Sequence, residues 1–164
     1  MFSYIFCAMK KYLPHLIFVL LAFAVGYISK NVQDSAMIEW YPYLEKASLN
    51  PPGIVFAIVW PILYLLMGIS AGMIWNTRSI YTWFVMFLFF IQLGLNLMWS
   101  VCFFYMQSPV MGLVTLSALI VIVALFAVTS YLIKKAAGLL NIPYILCVGC
   151  AFARMVWFCA LNGK

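Results

Sequence analysis

The chain has 164 residues, of which 68% are hydrophobic and 7% are charged. A soluble domain carries about 25% charged residues, so the composition excludes an ordinary soluble protein and indicates that lipid surrounds most of the chain. Nine Lys and Arg against three Asp and Glu give a net charge of +6. Because the basic residues lie mostly between apolar runs, they are better explained as anchors at anionic headgroups than as a nucleic-acid surface.

Five uncharged apolar runs approach or exceed the roughly 20 residues that a membrane-crossing helix needs. They cover residues 12–29, 55–75, 80–106, 110–133 and 139–161, the last interrupted by Arg154. Strands of a membrane barrel would alternate in polarity over about 10 residues, and these runs are longer. We therefore predict a single all-α domain, residues 1–164, that forms a bundle of five transmembrane helices.

The first run has a second interpretation. It follows Lys10 and Lys11, and Ala22-Phe23-Ala24 resembles the cleavage site of a secretory signal peptide. The apolar character continues to Ile28 without the polar shift expected after such a site. We therefore predict a membrane helix.

The connection between the first two runs, residues 30–54, is much longer than the others. It holds all three acids and the Trp40-Tyr41 pair, whose side chains suit a membrane interface. The other connections are short enough to require tight antiparallel turns. We expect the long connection to be a loop that caps one end of the bundle.

Five spans place the N-terminus and the second and fourth loops on one side of the membrane. That side carries Lys10, Lys11, Arg78, Lys134 and Lys135, whereas the other side carries Lys30, Lys46 and Lys164 together with Asp34, Glu39 and Glu45. The positive-inside rule then predicts a cytoplasmic N-terminus. We expect an integral multi-pass protein of a bacterial cell membrane.

The second predicted helix has two distinct faces. Trp60 and Tyr64 lie on one stripe, and Gly68 and Gly72 lie about 80° round the helix from it. The aromatic stripe suits either stacking on a planar ligand or plain packing. The glycines allow a second helix to approach closely, within one subunit or between two. We take them as candidates for a dimer interface.

The third predicted helix carries Gln92, Asn96 and Trp99 on one stripe. An unsatisfied polar group in hydrocarbon costs several kcal/mol, so we expect these side chains to face the interior of the bundle. Two roles fit them: hydrogen bonds that hold helices together, or contacts to a ligand in a pocket.

The fifth predicted helix carries a charged residue on a long stripe. Tyr144, Cys147, Ala151, Arg154 and Phe158 follow one another at three or four residues. Arg154 lies roughly 10 Å from the Leu161 end of the helix, and a charge at the centre of a membrane helix costs about 2.5–3.5 kcal/mol. Its guanidinium therefore needs a partner, either an acid of the long loop or the headgroups, or an anionic group on a ligand.

The remaining reactive residues give weaker signals. The five cysteines lack the spacing of a closed zinc site, and small apolar packing explains them best. His15 at the start of the first run suits interfacial anchoring far better than a haem ligand. The sequence contains no phosphate-binding loop and no hydrolytic triad pattern, so we predict no metal and no catalytic residues.

Several motifs in fixed order resemble the TspO/MBR family of tryptophan-rich sensory and translocator proteins. They are Trp40-Tyr41, Leu49-Asn50-Pro51-Pro52-Gly53, Val59-Trp60, Leu63-Tyr64-Leu65-Leu66-Met67-Gly68, Gln92-Leu93-Gly94-Leu95-Asn96-Leu97-Met98-Trp99, Phe103-Phe104 and Pro143-Tyr144. The resemblance runs from about residue 15 to the end. It implies a five-helix bundle, commonly dimeric, with a pocket for porphyrins and sterol-like lipophiles that the first loop closes.

The sequence departs from that family's pattern in the fifth helix. Members usually carry Trp three residues after the Pro-Tyr tyrosine, where this chain has Cys147, and an apolar residue where it has Arg154. Ala151 matches a small residue that lines the family's pocket. Residue patterns and resemblance together assign ligand binding to Trp40, Trp60, Tyr64, Asn96, Trp99, Cys147, Ala151 and Arg154.

The resemblance implies a receptor or carrier for tetrapyrroles such as protoporphyrin IX, with Arg154 placed to bind a propionate. One alternative is a light-dependent porphyrin-degrading enzyme, which Cys147 disfavours because it replaces a pocket Trp. Another is a structural accessory subunit. We expect porphyrin as a ligand with no required cofactor, and as partners the bilayer, that ligand and a second copy of the chain, with no nucleic acid.

Overall fold

The chain is almost entirely helical in the computed structural model, which describes residues 2–43 and 53–162, with side chains at 10–43 and 58–160. The helices are α1 (Phe2–Glu39), α2 (Gly53–Thr77), α3 (Thr82–Ser100), α4 (Pro109–Ile133), α5 (Lys135–Leu139) and α6 (Ile142–Asn162). Among the described residues, five helical segments are long and apolar enough to cross a membrane, and α5 and α6 together form the fifth. The predicted bundle of five membrane helices is therefore confirmed.

The first helix is much longer than predicted. It continues through residues 30–39, which we had assigned to the capping loop. The prediction ended at Lys30 because hydropathy falls there, yet residues 31–39 contain no Pro or Gly to stop a helix. Ala36 is buried, and Gln33 Nε2 donates a 2.8 Å hydrogen bond to Ser100 Oγ, so this last part of α1 packs on α3.

Within the described residues, only 40–43 of the predicted loop lie beyond the end of α1. A 3-10 turn at Tyr41–Tyr43 follows the helix, and residues 44–52, with Glu45, lie outside the described part of the chain. A continuous helix also runs through Ala22, which is fully buried. That agrees with a membrane helix at the first run.

The other connections are tight, as predicted. Residues 78–81 join α2 to α3, and Gln107 and Ser108 lead into α4, where the Ser108 hydroxyl caps the Met111 amide. The fourth connection contains the short helix α5, which the sequence did not reveal. It begins after Lys134, whose extended backbone ends α4.

Helix α1 packs closely along α2 because two glycines remove side chains from the contact. A Cβ built on Gly68 would lie 2.5 Å from Val19 Cα, and one on Gly72 would lie 2.6 Å from His15 Cα. The chain's own first helix thus covers both glycines. Our assignment of Gly68 and Gly72 to a dimer interface is wrong, because the pattern showed a close approach but not which helix makes it.

A buried polar link fixes the start of α6 against α2. Ser70 Oγ donates to the Ala137 carbonyl at 2.9 Å, and Asn141 Nδ2 donates to Ser70 Oγ at 2.9 Å and to the Ala137 carbonyl at 2.8 Å. Ser70 and Asn141 are both fully buried. Because Tyr144 lies less than one turn beyond Asn141, this link also sets the position of Tyr144.

The end of α3 changes from α-helix to a π-helical turn at Val101–Tyr105. Phe103 and Phe104 are both buried there, since α1 covers one side of the turn and α4 the other. Gly112 on α4 makes room for this packing, because a Cβ at that position would lie 3.1 Å from Phe103 Cβ. Such π-helical turns frequently occur at functional sites.

Candidate functional site

Two tyrosines and an asparagine from three helices meet inside the bundle. Tyr64 on α2 donates from its hydroxyl to Asn96 Oδ1 at 2.8 Å, and Asn96 Nδ2 on α3 donates to the Tyr144 hydroxyl oxygen on α6 at 3.1 Å. All three side chains are buried. We call this group the polar hub. It answers the question left open for Asn96, since the amide forms interhelical hydrogen bonds.

The indole of Trp60 lies against the polar hub. Its ring centroid is 5.8 Å from that of Tyr64, with a tilt of 35°, and 6.5 Å from that of Tyr144, near edge-on at 73°. Trp60 is only partly buried, in contrast to the two tyrosines. The hub therefore presents an aromatic surface with an accessible edge, as the stripe on the second helix suggested.

One turn from Asn96, Gln92 is fully buried, and neither its Oε1 nor its Nε2 has a hydrogen-bond partner among the described residues. Of the two roles left open for the polar stripe, hydrogen bonds between helices are therefore not seen for Gln92. A buried amide without partners is costly in a protein core, and more so in lipid. A ligand's polar group, or a water molecule, would satisfy it.

Trp40 and Trp99 belong to a second group of rings, centred on Phe103. Trp99 stacks on Phe103 at 5.7 Å with an interplanar angle of 7°, while Trp40 and Phe158 meet Phe103 edge-on at 5.4 and 5.6 Å. The Trp99 Nε1 is buried without a partner among the described residues. We call these four rings the aromatic cluster. Trp40 and Trp60, which we assigned to the same ligand, thus belong to different groups of rings.

The predicted stripe on α6 joins the polar hub to the aromatic cluster. Tyr144 belongs to the hub and Phe158 to the cluster, and Cys147, Ala151 and Arg154 lie between them on the same stripe. These three side chains are partly exposed, and Cys147 and Ala151 pack against the hydrophobic core. The sequence-predicted residues therefore form one extended surface rather than a single compact site.

Three residues of the polar hub and the aromatic cluster were absent from the predicted set: Tyr144, Phe103 and Phe158. Tyr144 and Phe158 were both on the predicted α6 stripe, so their helical spacing held the signal. Phe103 lies four residues after Trp99 and so continues the α3 stripe, and it was in the Phe103-Phe104 motif, but the π-helical turn around it was not predicted.

The cysteines with described side chains, Cys102, Cys147, Cys150 and Cys159, are free thiols. Cys159 Sγ donates a long hydrogen bond of 3.3 Å to the Pro109 carbonyl, which ties α6 to the start of α4. This contact fits the packing role that we predicted for the cysteines.

Comparison with known proteins gives consistent matches. The sequence profile described as the TspO/MBR family matches residues 18–158. The "Tryptophan-rich protein TspO" of Chlorobaculum tepidum is 36% identical over 146 residues, which cover 87% of this chain and 90% of that protein. Its namesake from Archaeoglobus fulgidus is 36% identical over 127 residues, covering 77% and 82%. The "Translocator protein" of Sus scrofa is 30% identical over 151 residues, covering 90% and 88%.

Proposed function

We propose that this protein is a receptor or carrier for a flat lipophilic ligand of the tetrapyrrole class, because it belongs to the TspO/MBR family and is an integral membrane protein with five spans. Two of its relatives are named translocator protein and sensory protein, names that describe transfer and sensing. The assignment of a tetrapyrrole as the ligand rests on the geometry of the surface that joins the polar hub to the aromatic cluster.

The observation that carries the proposal is the partly exposed indole of Trp60 on the buried polar hub. Aromatic side chains contact planar ligands through offset or edge-to-face stacking, worth about 0.5–1.5 kcal/mol beyond the buried area. The hydrogen bonds of Tyr64 and Tyr144 to Asn96 hold the surrounding rings in fixed orientations. Such a surface is organised before the ligand arrives, which reduces the entropic cost of binding.

The unpartnered amide of Gln92 gives independent support. It lies one turn from Asn96 on the same stripe of α3 and has neither donor nor acceptor partner among the described residues. A tetrapyrrole offers pyrrole N–H groups and carboxylates, which match both halves of an amide. A purely hydrocarbon ligand would leave Gln92 unsatisfied.

We further propose that a propionate of such a ligand binds Arg154, which keeps part of its surface exposed on the α6 stripe. A guanidinium matches a carboxylate through two parallel hydrogen bonds. Photo-oxidative turnover is disfavoured because a thiol, Cys147, stands where family members usually carry an indole. We also propose a cytoplasmic N-terminus and a homodimer whose contact excludes Gly68 and Gly72, which α1 covers.

The test is a dark titration of the purified protein with protoporphyrin IX, followed by the shift of the porphyrin's main absorption band. Trp60→Ala should weaken binding at least several-fold, since it removes the exposed ring of the surface. Trp157→Ala is the matched control, because Trp157 is a tryptophan of α6 that is 58% exposed and has no ring partner among the described residues. Equal affinities for wild type and Trp60→Ala would remove Trp60 from the site and with it the proposal.

A further inference from the structure

A cavity of about 270 Å³ lies at the turn between α2 and α3, away from the polar hub and the aromatic cluster. Its lining includes Trp75, Arg78, Ser79, Thr82 and Trp83. The two indoles meet edge-on, with centroids 5.4 Å apart and an interplanar angle of 82°. The cavity is therefore lined by aromatic rings and by polar side chains, one of which is a cation.

Thr82 provides a buried hydroxyl in this cavity that lacks a partner. The side chain is 7% exposed, and its Oγ1 has no hydrogen-bond partner among the described residues. A threonine within a helix usually bonds the carbonyl of the preceding turn, as Thr77 and Thr115 do here. Thr82 is the first residue of α3, and its amide donates to the Ser79 carbonyl at 3.0 Å, but its hydroxyl does not bond that carbonyl. Its hydroxyl is thus available to a ligand.

The cavity also lies at the N-terminus of a long helix that has no side-chain cap. Tyr81 occupies the cap position, and its side chain makes no capping hydrogen bond. The amides of Tyr81 and Thr82 donate to the hydroxyl and the carbonyl of Ser79 at 3.3 and 3.0 Å, so the amides that follow them are the ones left for a ligand. The first amides of an α-helix point out of its end, where the helix dipole favours negative charge. The dipole and the Thr82 hydroxyl therefore favour the same kind of ligand, an anion that accepts hydrogen bonds.

Arg78 adds a full positive charge at the lip of the cavity. Its side chain is exposed, and its backbone is in the left-handed region with φ of 52°. A non-glycine residue in that region is uncommon and costs of order 1 kcal/mol or more. The turn nevertheless places an arginine here, beside the Ser79 and Thr82 hydroxyls.

This end of the bundle is positively charged as a whole. Asn76, just before the turn, donates a 2.7 Å hydrogen bond to the Lys11 carbonyl, so the start of α1 lies at the same end. Lys134 and Lys135, which are exposed, lie at this end too. The neighbouring Ala137 carbonyl accepts a hydrogen bond from Ser70 in the second half of α2. Asp34 and Glu39, the acids with described side chains, are roughly 35 and 42 Å further along α1 than Lys11.

We propose that this cavity binds a phosphate group, and that the phosphate is carried by an anionic phospholipid. Arginine binds phosphate through two parallel hydrogen bonds, and the Thr82 hydroxyl and the α3 N-terminus complete the set of donors. The same donors would accept free phosphate from water. The surrounding side chains favour a lipid, because Trp83 is 73% exposed and Ile80 86% exposed, which places apolar surface where acyl chains meet headgroups.

The test follows the melting temperature of the detergent-purified full chain in three titrations, with phosphatidylglycerol, phosphatidylcholine and inorganic phosphate. Phosphatidylglycerol should give a saturable increase, whereas phosphatidylcholine, which has no net charge, should give a much smaller one. Arg78→Asn should weaken the apparent affinity for phosphatidylglycerol about tenfold, and asparagine tolerates the left-handed backbone. Lys135→Asn is the matched control, because it removes one exposed charge at the same end but outside the cavity.

A second variant keeps the proposal testable if Arg78→Asn does not fold. Thr82→Val retains the shape and every charge, so it should weaken phosphatidylglycerol binding several-fold without lowering the melting temperature of the lipid-free protein. Equal losses for Arg78→Asn and Lys135→Asn would mean that general surface charge attracts the lipid, which overturns the proposal. So would the absence of any saturable response. A full response to inorganic phosphate alone would keep the phosphate site and overturn its assignment to lipid.

Discussion

Two amides one helical turn apart should respond oppositely to the same substitution. Asn96→Leu and Gln92→Leu each replace a buried amide on α3 with an apolar side chain. The first removes both hydrogen bonds of the polar hub and leaves the Tyr64 and Tyr144 hydroxyls buried without that partner. The second removes an amide that has no partner among the described residues.

The expected magnitudes follow from those partners. A buried group that loses its hydrogen bond costs about 1–3 kcal/mol, but interhelical bonds in membranes average nearer 0.6 kcal/mol, because the unfolded chain also finds partners. Two such bonds give a loss of about 1–3 kcal/mol for Asn96→Leu. For Gln92→Leu the desolvation penalty of the amide disappears, so the ligand-free protein should gain about 1 kcal/mol.

The assay is equilibrium unfolding of the purified protein in mixed micelles by titration with sodium dodecyl sulfate, without ligand, followed by the porphyrin titration on each variant. Gln92→Leu should be more stable than wild type and bind protoporphyrin IX more weakly, because its amide is proposed to face the ligand. A loss of stability as large as that of Asn96→Leu would show that Gln92 has a partner within the chain, and the argument that it contacts a ligand would fail.

Three further predictions concern packing, turnover and ligand charge. Gly68→Ala should destabilise the protein by about 1–3 kcal/mol, because the new Cβ would lie 2.5 Å from a backbone atom of α1. Gly149→Ala is the control: its new Cβ would have no atom within 4 Å, so the free energy of unfolding should stay unchanged or rise. Illuminated wild type with bound protoporphyrin should form product slowly or not at all, and Cys147→Trp should increase the rate; robust wild-type turnover that survives Trp60→Phe would contradict this. Arg154→Leu should weaken binding of dicarboxylic porphyrins while sparing their neutral dimethyl esters, and an equal acid-to-ester ratio of affinities in both proteins would show that no propionate binds there.

The five membrane spans were predictable because bilayer thickness sets the length of each apolar run, and the helices after α1 match the last four runs closely. Helix α1 extends ten residues beyond its predicted run at each end. The end of α1 was not, because hydropathy reports which residues tolerate lipid and not where a helix stops. Residues 30–39 are helical because Ala36 is buried and Gln33 bonds Ser100, and both contacts are between segments far apart in the sequence.

The candidate site was predictable as a set of stripes but not as a set of partners. Helical periodicity correctly put Trp60 and Tyr64 on one face and Asn96 towards the interior. It could not show that Asn96 bonds two tyrosines, that Trp40 packs on Phe103, or that α1 fills the glycine face of α2. Each of these depends on which helices are neighbours, and a periodic pattern on one helix does not contain that information.

The balance of satisfied and unsatisfied polar groups separates side chains that hold this bundle together from side chains that face other molecules. Lipid offers no hydrogen bonds, so a polar group that only stabilises the fold should find its partner inside the protein, as Asn96 and Ser70 do. The Ser29 and Ser130 hydroxyls also lack partners among the described residues, but a helical serine can rotate towards a carbonyl of its own helix.

An amide or an indole N–H has no such local alternative. Among the described residues, the buried groups of this kind without a partner belong to Gln92, Trp99 and Asn141, and the Thr82 hydroxyl also has none. Asn141 lacks a partner only at Oδ1, since its Nδ2 donates two hydrogen bonds. Gln92 and Trp99 lie beside the polar hub and in the aromatic cluster, and Thr82 lies in the cavity beside Arg78. Apart from the two serines and Asn141, which belongs to the link with Ser70, the unsatisfied groups of the described residues therefore fall where aromatic side chains also gather. This coincidence is the physical reason to expect one ligand within the membrane and a second at its surface.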